Sequence, residues 1–592
     1  MSQLVFPLKR KAWVVSLGGI ALSVLAQAQD VPLPAPAVID PTPQLRRQQE
    51  QGDAARQRLE PKVDVRTGAP ADASVATLAP QRLPVGEAPC FNITQVSLRG
   101  QEAARFAWVL AYKGALSGST YDDAPQGKCL GAQGINVLLQ RAQDALVAKG
   151  YVTSRILAEP QDLKSGFLAL TVVPGRIRAI RFVPDAKGLP NYRATAANAL
   201  PAKPGDILNL RDIEQGLENF KRVPTAEADI KIEPAEGTEP GYSDLVISWQ
   251  QGFPFRVSLS ADDSGSKGTG KYQASATISY DNWWTLNDLF YVTLNRDLGG
   301  ADAGPRGTKG STFHYSVPFG YWSLATTNST SRYYQTVFGA TQEYVYSGTS
   351  ENNEVKLSRL VYRDAGRKTT MAVRAFQRRS NNFIDDTEVQ VQQRVVGGWE
   401  ASVSHREFIG QATLDANLAY KRGTGAFGSL PAPEEAFGEG TSRFALVTAD
   451  VNLSTPFNVG GQKFKYSGTW RSQLQRTPLT PQDRFSIGGR FSVRGFDGEG
   501  SLSAERGYYI RNEVSAPLGQ SGQEAYWGQD YGHESGPGSE NLLGRNLAGT
   551  ALGLRGNLQG LQYELFLATP VHKPEGFRTA SKTYGFNMNY SF

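Results

Sequence analysis

Three groupings in this 592-residue sequence have residue types and spacing that could do chemistry. The run GSKGTGK at residues 265–271 spaces its glycines and lysine like a phosphate-cradling loop. Such a loop needs Ser or Thr after the lysine to hold Mg²⁺, and a helix N-terminus to orient its amides. Tyr272 follows instead, and the residues after it alternate as a strand, so the run reads as a glycine-rich turn. Cys90 and Cys129 are the only cysteines, and the four histidines at 314, 405, 533 and 572 are scattered, which makes a poor metal set. No nucleophile elbow and no Ser/His/Asp or Cys/His grouping stands out. The expectation is a non-enzyme with no metal and no cofactor. The third grouping is Ser492-Val493-Arg494-Gly495-Phe496, inside RFSIGGRFSVRGFDGEGSLSAERGYYIRNEV at residues 484–514. One arginine between apolar neighbours at a hairpin tip suits a loop folded into a cavity, where the guanidinium needs a partner; on an ordinary protein a solvated loop-tip arginine is the alternative. Val493 and Phe496 would pack the tip, and Gly495 would let it turn tightly.

Those residues need elements to hold them. Lys9, Arg10 and Lys11, a mostly apolar run to Leu25, and Ala26-Gln27-Ala28 have the layout of a cleaved export signal over residues 1–28. The apolar run is shorter than the roughly 20 residues of a spanning helix. In an oxidising compartment Cys90 and Cys129 are expected to form an intradomain disulfide; two buried thiols or an intermolecular bridge are the alternatives. Residues 29–60 begin Pro/Ala-rich and continue into QLRRQQEQGDAARQRL at 44–59, helix-forming but polar on nearly every face. Such a helix cannot dock on an ordinary core and reads as solvated or disordered. Residues 61–88, rich in Pro, Ala and Val, read as an unstructured linker.

Two α+β units follow, at residues 89–173 and 174–251. The first has a strand at 91–98, a helix at 134–149 with apolar residues at helical spacing, and strands at 151–156 and 167–173. The second repeats the plan with a strand at 177–183, a helix at 207–220, and strands at 229–233 and 244–250. From residue 252 to 592 the period becomes two. Tyr272, Ala274, Ala276, Ile278 and Tyr280 alternate with Gln273, Ser275, Thr277, Ser279 and Asp281, and the 463–474 segment behaves likewise. In a sandwich the apolar face would meet a second sheet; in a membrane barrel it meets lipid. Tyr584, Phe586, Met588, Tyr590 and the terminal Phe592 continue the alternation to the last residue, which favours the barrel. Sixty-two glycines, 27 Phe, 24 Tyr and 9 Trp suit strands joined by turns. A net charge of +6 is small for this length and gives no case for nucleic acid.

The 484–514 stretch, the unit ending in LENFKRVPTAEADIKIEPAEGTEPGYSDL at 217–245, and the segments YDN at 280–282, LND at 286–288 and YSVPFGYW at 315–322 together resemble the outer-membrane transporters of two-partner secretion, of the haemolysin-activator and filamentous-haemagglutinin-secretor type. The resemblance implies a transmembrane β-barrel of 16 antiparallel strands, two periplasmic POTRA domains before it, and a plug helix from residues 29–60 in its lumen. Sixteen strands allow about 21 residues each, a span and a connection apiece. The loop between barrel strands 11 and 12 would fold into the lumen, where Arg494 pairs with an aspartate of the inner wall. Asp530 matches that aspartate, and Asp497 is a nearby alternative. Phe592 and Tyr590 would be read by the barrel assembly machinery. The implied partners are a large β-helical exoprotein captured by the POTRA domains and outer-membrane lipid, with the transporter itself a monomer. An assembly factor of the same superfamily, which typically carries about five POTRA domains, and a plugged porin are the competing classes.

Overall fold

The structure, a computed structural model, describes residues 40–60, 63–66, 82–114, 116–118, 122–184, 195–236, 241–339 and 342–592. The expected export signal at 1–28 and the 67–81 part of the expected linker lie outside the described residues.

Sixteen long antiparallel strands close into a barrel, from Phe255–Asp262 to Thr583–Ser591. The last strand pairs with the first, Ser591 opposite Ser258 and Asn587 opposite Asp262, and Phe592 exchanges both backbone hydrogen bonds with Val257 at 3.0 Å. No strand edge is left open, which is what a sheet without surrounding water requires. The burial is inverted relative to a soluble protein. Thr277, Ser279, Thr293 and Ser316 on the inner face are buried, while Ile278, Leu294, Val373, Leu418, Leu474 and Leu552 are exposed outside. The alternation therefore puts apolar side chains on the outer wall and hydroxyls and charges on the inner one.

Connections at the end of the barrel beside the preceding domains are short, such as 410–411 and 460–461. Those at the far end are long, such as 425–444 and 476–505. The stretch read as one lumenal loop over 484–514 divides. Residues up to 505 form the loop, with its own small hairpin of Phe485–Ile487 and Leu502–Ala504. Arg506–Pro517 is the twelfth barrel strand.

Both α+β units carry the same three-stranded sheet, in which the last strand lies between the other two. In the first, Phe167–Val173 pairs parallel with Gln95–Arg99 and antiparallel with Arg155–Leu157, and Ala132–Ala148 covers one face through Val137, Leu138, Ala142 and Leu146. In the second, Tyr242–Gln251 pairs parallel with Arg176–Phe182 and antiparallel with Ala226–Pro234, under Leu210–Lys221. The expected 91–98 strand divides at Thr94 into Phe91–Ile93, paired with Lys128–Leu130, and Gln95–Arg99 of the three-stranded sheet. Two further expected elements shift. Residues 151–154, read as strand, form a turn closing the first helix, with Ser154 N–H donating to Tyr151 O, so that strand begins at Arg155. The second helix starts at Leu210, because the Asn209 side chain accepts from Arg211 N–H at 2.8 Å and caps it. Cys90 and Cys129 are joined in a disulfide with a Cα separation of 5.2 Å.

The polar segment forms the helix Thr42–Leu59, 18 residues or about 27 Å long, close to the ~30 Å of a hydrocarbon core. It lies inside the barrel. Its Gln44 meets Ser266 and Arg47 meets Gly498 at the far end, and Glu60 meets Tyr291 at the domain end.

Candidate functional site

The site is the lumen and the two elements that obstruct it. The barrel wall around the helix is polar because every inward position alternates with a lipid-facing one, and the helix meets it with side chains of the same kind. Gln44 donates to Ser266 Oγ at 2.8 Å, Gln51 to Ser264 Oγ at 2.9 Å, and Ser331 Oγ donates to Gln48 Oε1 at 2.7 Å. Arg56 pairs with Glu354 at 2.5 Å, and Arg374 bridges the same carboxylate to Glu400. His314 Nε2 and Tyr291 OH lie 3.3 and 3.4 Å from Glu60 Oε1. Most helix residues are partly buried, and Gln49, Asp53, Gln57 and Arg58 are exposed, which leaves room for water in the lumen. The glycine-rich turn at 265–271 is one of the helix's main supports: Ser266 and Thr269 bind Gln44, and Lys267 N–H donates to Glu499 of the loop at 2.9 Å.

The loop 476–505 is the second obstruction. It has an apolar anchor inside the barrel: Phe485, Ile487, Val493, Phe496 and Leu502 pack against Tyr509, Leu547 and Phe577 of the wall and a far-end loop. Phe496 meets Phe577 edge-on at 5.7 Å. With Val493 and Phe496 buried, Arg494 lies against strands 12 and 13, 6 % exposed, and Asp530 is 1 % exposed. The guanidinium holds Asp530 as a fork, Nε to Oδ2 and Nη2 to Oδ1, both at 2.8 Å, and the Arg494 backbone N–H adds a third bond at 2.9 Å. Fork-to-fork geometry fixes orientation as well as charge. Asp497 faces elsewhere, accepting from Thr579 Oγ1 at 3.1 Å and Ala580 N–H at 2.9 Å.

Several participants were not foreseen. Glu513 on strand 12 accepts from Arg494 Nη1 at 2.7 Å and from Arg555 at 2.7 Å, and Arg555 continues to Glu524 at 3.0 Å. The arginine thus enters a chain of alternating charges running across strands 12 to 14. Two wall glycines make room for it. A Cβ on Gly528 would collide with the Arg494 guanidinium, and one on Gly549 with the Arg494 carbonyl. Gly495 has φ +110°, and a side chain there would stand 2.5 Å from Thr569 O, so the tip needs glycine on both counts. Glycine inside a strand is a readable sign of close backbone approach.

Of the terminal pair, Tyr590 lies on strand 16 opposite Leu561, and Phe592 is exposed at the barrel's seam.

Comparison with known proteins agrees with this geometry. The family model for haemolysin secretion/activation protein ShlB/FhaC/HecB matches residues 241–556. POTRA models match residues 91–175, in the ShlB-type form, and 176–234. The chain is similar to the outer membrane transporter CdiB-2 of Burkholderia pseudomallei (strain 1026b), 37 % identical over 96 % of this chain and 98 % of that one. It is also similar to the hemolysin transporter protein HpmB of Proteus mirabilis, 25 % identical over 66 % of this chain and 67 % of that one. Among solved structures, CdiB from Acinetobacter baumannii superposes with a TM-score of 0.79 at 28 % identity, covering 94 % of this chain and all of that one. A 16-stranded barrel with a helix in its lumen, two POTRA domains before it and these relatives lead to one conclusion: the chain belongs to the haemolysin secretion/activation family of two-partner secretion transporters, with its barrel in the outer membrane and its POTRA domains in the periplasm.

Proposed function

We propose that the lumenal helix and the 476–505 loop are separable stoppers of a protein-conducting pore, with Val493, Arg494, Gly495, Phe496 and Asp530 as the latch of the second. An unfolded exoprotein reaches the periplasm, and the POTRA domains capture its extended segments by strand addition or in a groove. The helix leaves the lumen and the exoprotein crosses as an extended chain. The periplasm supplies no nucleotide, so folding at the cell surface biases direction. The observation that carries this reading is the nature of the obstruction: a helix without an apolar face, held by side-chain hydrogen bonds and ion pairs inside a polar wall.

The cargo is a large exported protein of β-helical type. Identity of 37 % to a CdiB-2 transporter, against 25 % to a haemolysin transporter, favours a cargo of the former's kind. A closed barrel has no edge to share, so one copy suffices, and the aromatic end at Tyr590 and Phe592 serves recognition by the assembly machinery. Deletion of residues 29–60 tests the stopper: in planar bilayers it should turn rare openings into sustained KCl current. Co-expression with its large β-helical exoprotein should release that protein to the surface or medium. Current that stays closed after the deletion would refute the plug. A cargo retained in the periplasm beside a correctly assembled barrel would refute secretion.

A further inference from the structure

Four residues past Glu60, the residue that caps the helix, the chain is gripped again. Asp64 pairs with Lys368 at 2.5 Å and Arg406 at 3.0 Å, both on barrel strands at the periplasmic mouth. Val65 packs against the core of the second POTRA domain. Its N–H donates to Glu218 of that domain's helix at 2.8 Å, and its carbonyl accepts from Arg363 at 2.7 Å. Arg66 lies 3.9 Å over the Phe408 ring.

Glu218 is shared. Besides the Val65 amide, it accepts from Arg363 Nη1 at 2.9 Å and Nη2 at 3.0 Å and pairs with Lys368 at 2.9 Å. Arg363, at the base of the sixth barrel strand, is 4 % exposed and also reaches Glu214 at 3.1 Å. One carboxylate therefore belongs at once to the contact of the POTRA domain with the barrel and to the grip on the tether. Closed, this grip anchors the chain just beyond the helix. Between Leu59 and Asp64 the chain spans at most about 18 Å, short of the helix's own ~27 Å.

We propose that Asp64, Val65, Glu218, Arg363 and Lys368 form a clasp through which the second POTRA domain controls release of the plug. This rests on the reading that the helix leaves the lumen, and adds what permits it. A shift of the domain that pulls Glu218 from Arg363 and Lys368 also drops the Val65 amide, so cargo docking on the POTRA side and freeing of the tether are one event.

The test uses the full chain with Asp64→Cys and Lys368→Cys in planar bilayers, with KCl current as readout. Uncrosslinked, the variant has lost the ion pairs of Asp64 and Lys368 from the grip, and the open fraction should rise at least tenfold over wild type. A short bis-methanethiosulfonate bridge between the two cysteines should return it to the wild-type level, and reduction should raise it again. Wild type treated alike controls for reduction of Cys90–Cys129. An open fraction equal to wild type before bridging, or unchanged by bridging, overturns the clasp. The same variant lacking residues 29–60 should conduct in every state. If it stays closed, the plugged-pore reading fails on its own account.

Discussion

Asp530→Asn isolates the latch, because it keeps size while removing the charge and one of the two acceptor oxygens. In the wild type Arg494 gives Asp530 three hydrogen bonds from a nearly dry position. Breaking a buried pair by removing one partner costs about 3–5 kcal/mol. Glu513 still accepts from Arg494 at 2.7 Å and the lumen holds water, so about 2–3 kcal/mol is the expected loss. The penalty falls on the loop's docked state, not on the barrel, whose strands keep their ladders. The loop's undocked fraction should therefore rise about 30- to 150-fold, taking 1.36 kcal/mol per factor of ten. Ser492→Cys reports it, since Ser492 is 6 % exposed and the two native cysteines are tied in a disulfide. Maleimide labelling at low reagent should accelerate by that factor in the Asp530→Asn background, with the heat-modified band shift of the barrel unchanged. Glu513→Gln should accelerate it less. Labelling no faster than in the Ser492→Cys parent would show that the pair does not hold the loop.

In the first POTRA domain, burial raises the Asp123 carboxyl, but hydrogen bonds from Lys128, Arg141 and the Leu83 amide outweigh it and hold the group at about 2. A folded value below the unfolded one stabilises above about pH 4 and is lost as pH falls towards 2. Asp123→Asn should thus cost the domain about 2 kcal/mol in urea melts at pH 7 and almost nothing at pH 2. Reducing Cys90–Cys129 opens a loop of sequence separation 39. The domain should lose about 3–4 kcal/mol, read by urea melts with and without reductant. Removing Phe592 takes away the two backbone bonds to Val257, and the amount of heat-modifiable barrel in outer-membrane fractions should drop several-fold, with Tyr590→Ala intermediate.

Much of this was legible because barrel strands obey a single rule. Alternation in 272–281 and 463–474 separated the two faces of the strands, and a hairpin tip with one arginine pointed to a partner in a cavity, which the resemblance made an aspartate. The helix was legible as polar all round, though only the resemblance put it in a pore. Element ends were lost where local chemistry overrode pattern. Residues 151–154 carry strand-like side chains but close a helix, and 207–208 precede the Asn209 cap. The least visible residues were Glu513, Arg555, Glu218, Arg363 and Asp64. Each is one charge with neighbours that say nothing, and its partner lies elsewhere in the chain: Arg363 and Val65 are 298 residues apart. Asp64 also sits in a segment whose composition reads as slack.

The helix in the lumen has no oily side, and that sets the thermodynamic character of its release. A core element exposes apolar area on leaving, so its departure carries a large heat-capacity change and a stability that curves with temperature. Here polar side chains exchange wall hydroxyls and carboxylates for water, with Leu45 and Leu59 as the only sizeable apolar groups on the helix. The heat-capacity change of unplugging should be close to nil and its van't Hoff plot straight. A pore closed this way keeps a simple thermal response over a range in which a hydrophobic stopper would tighten or slip.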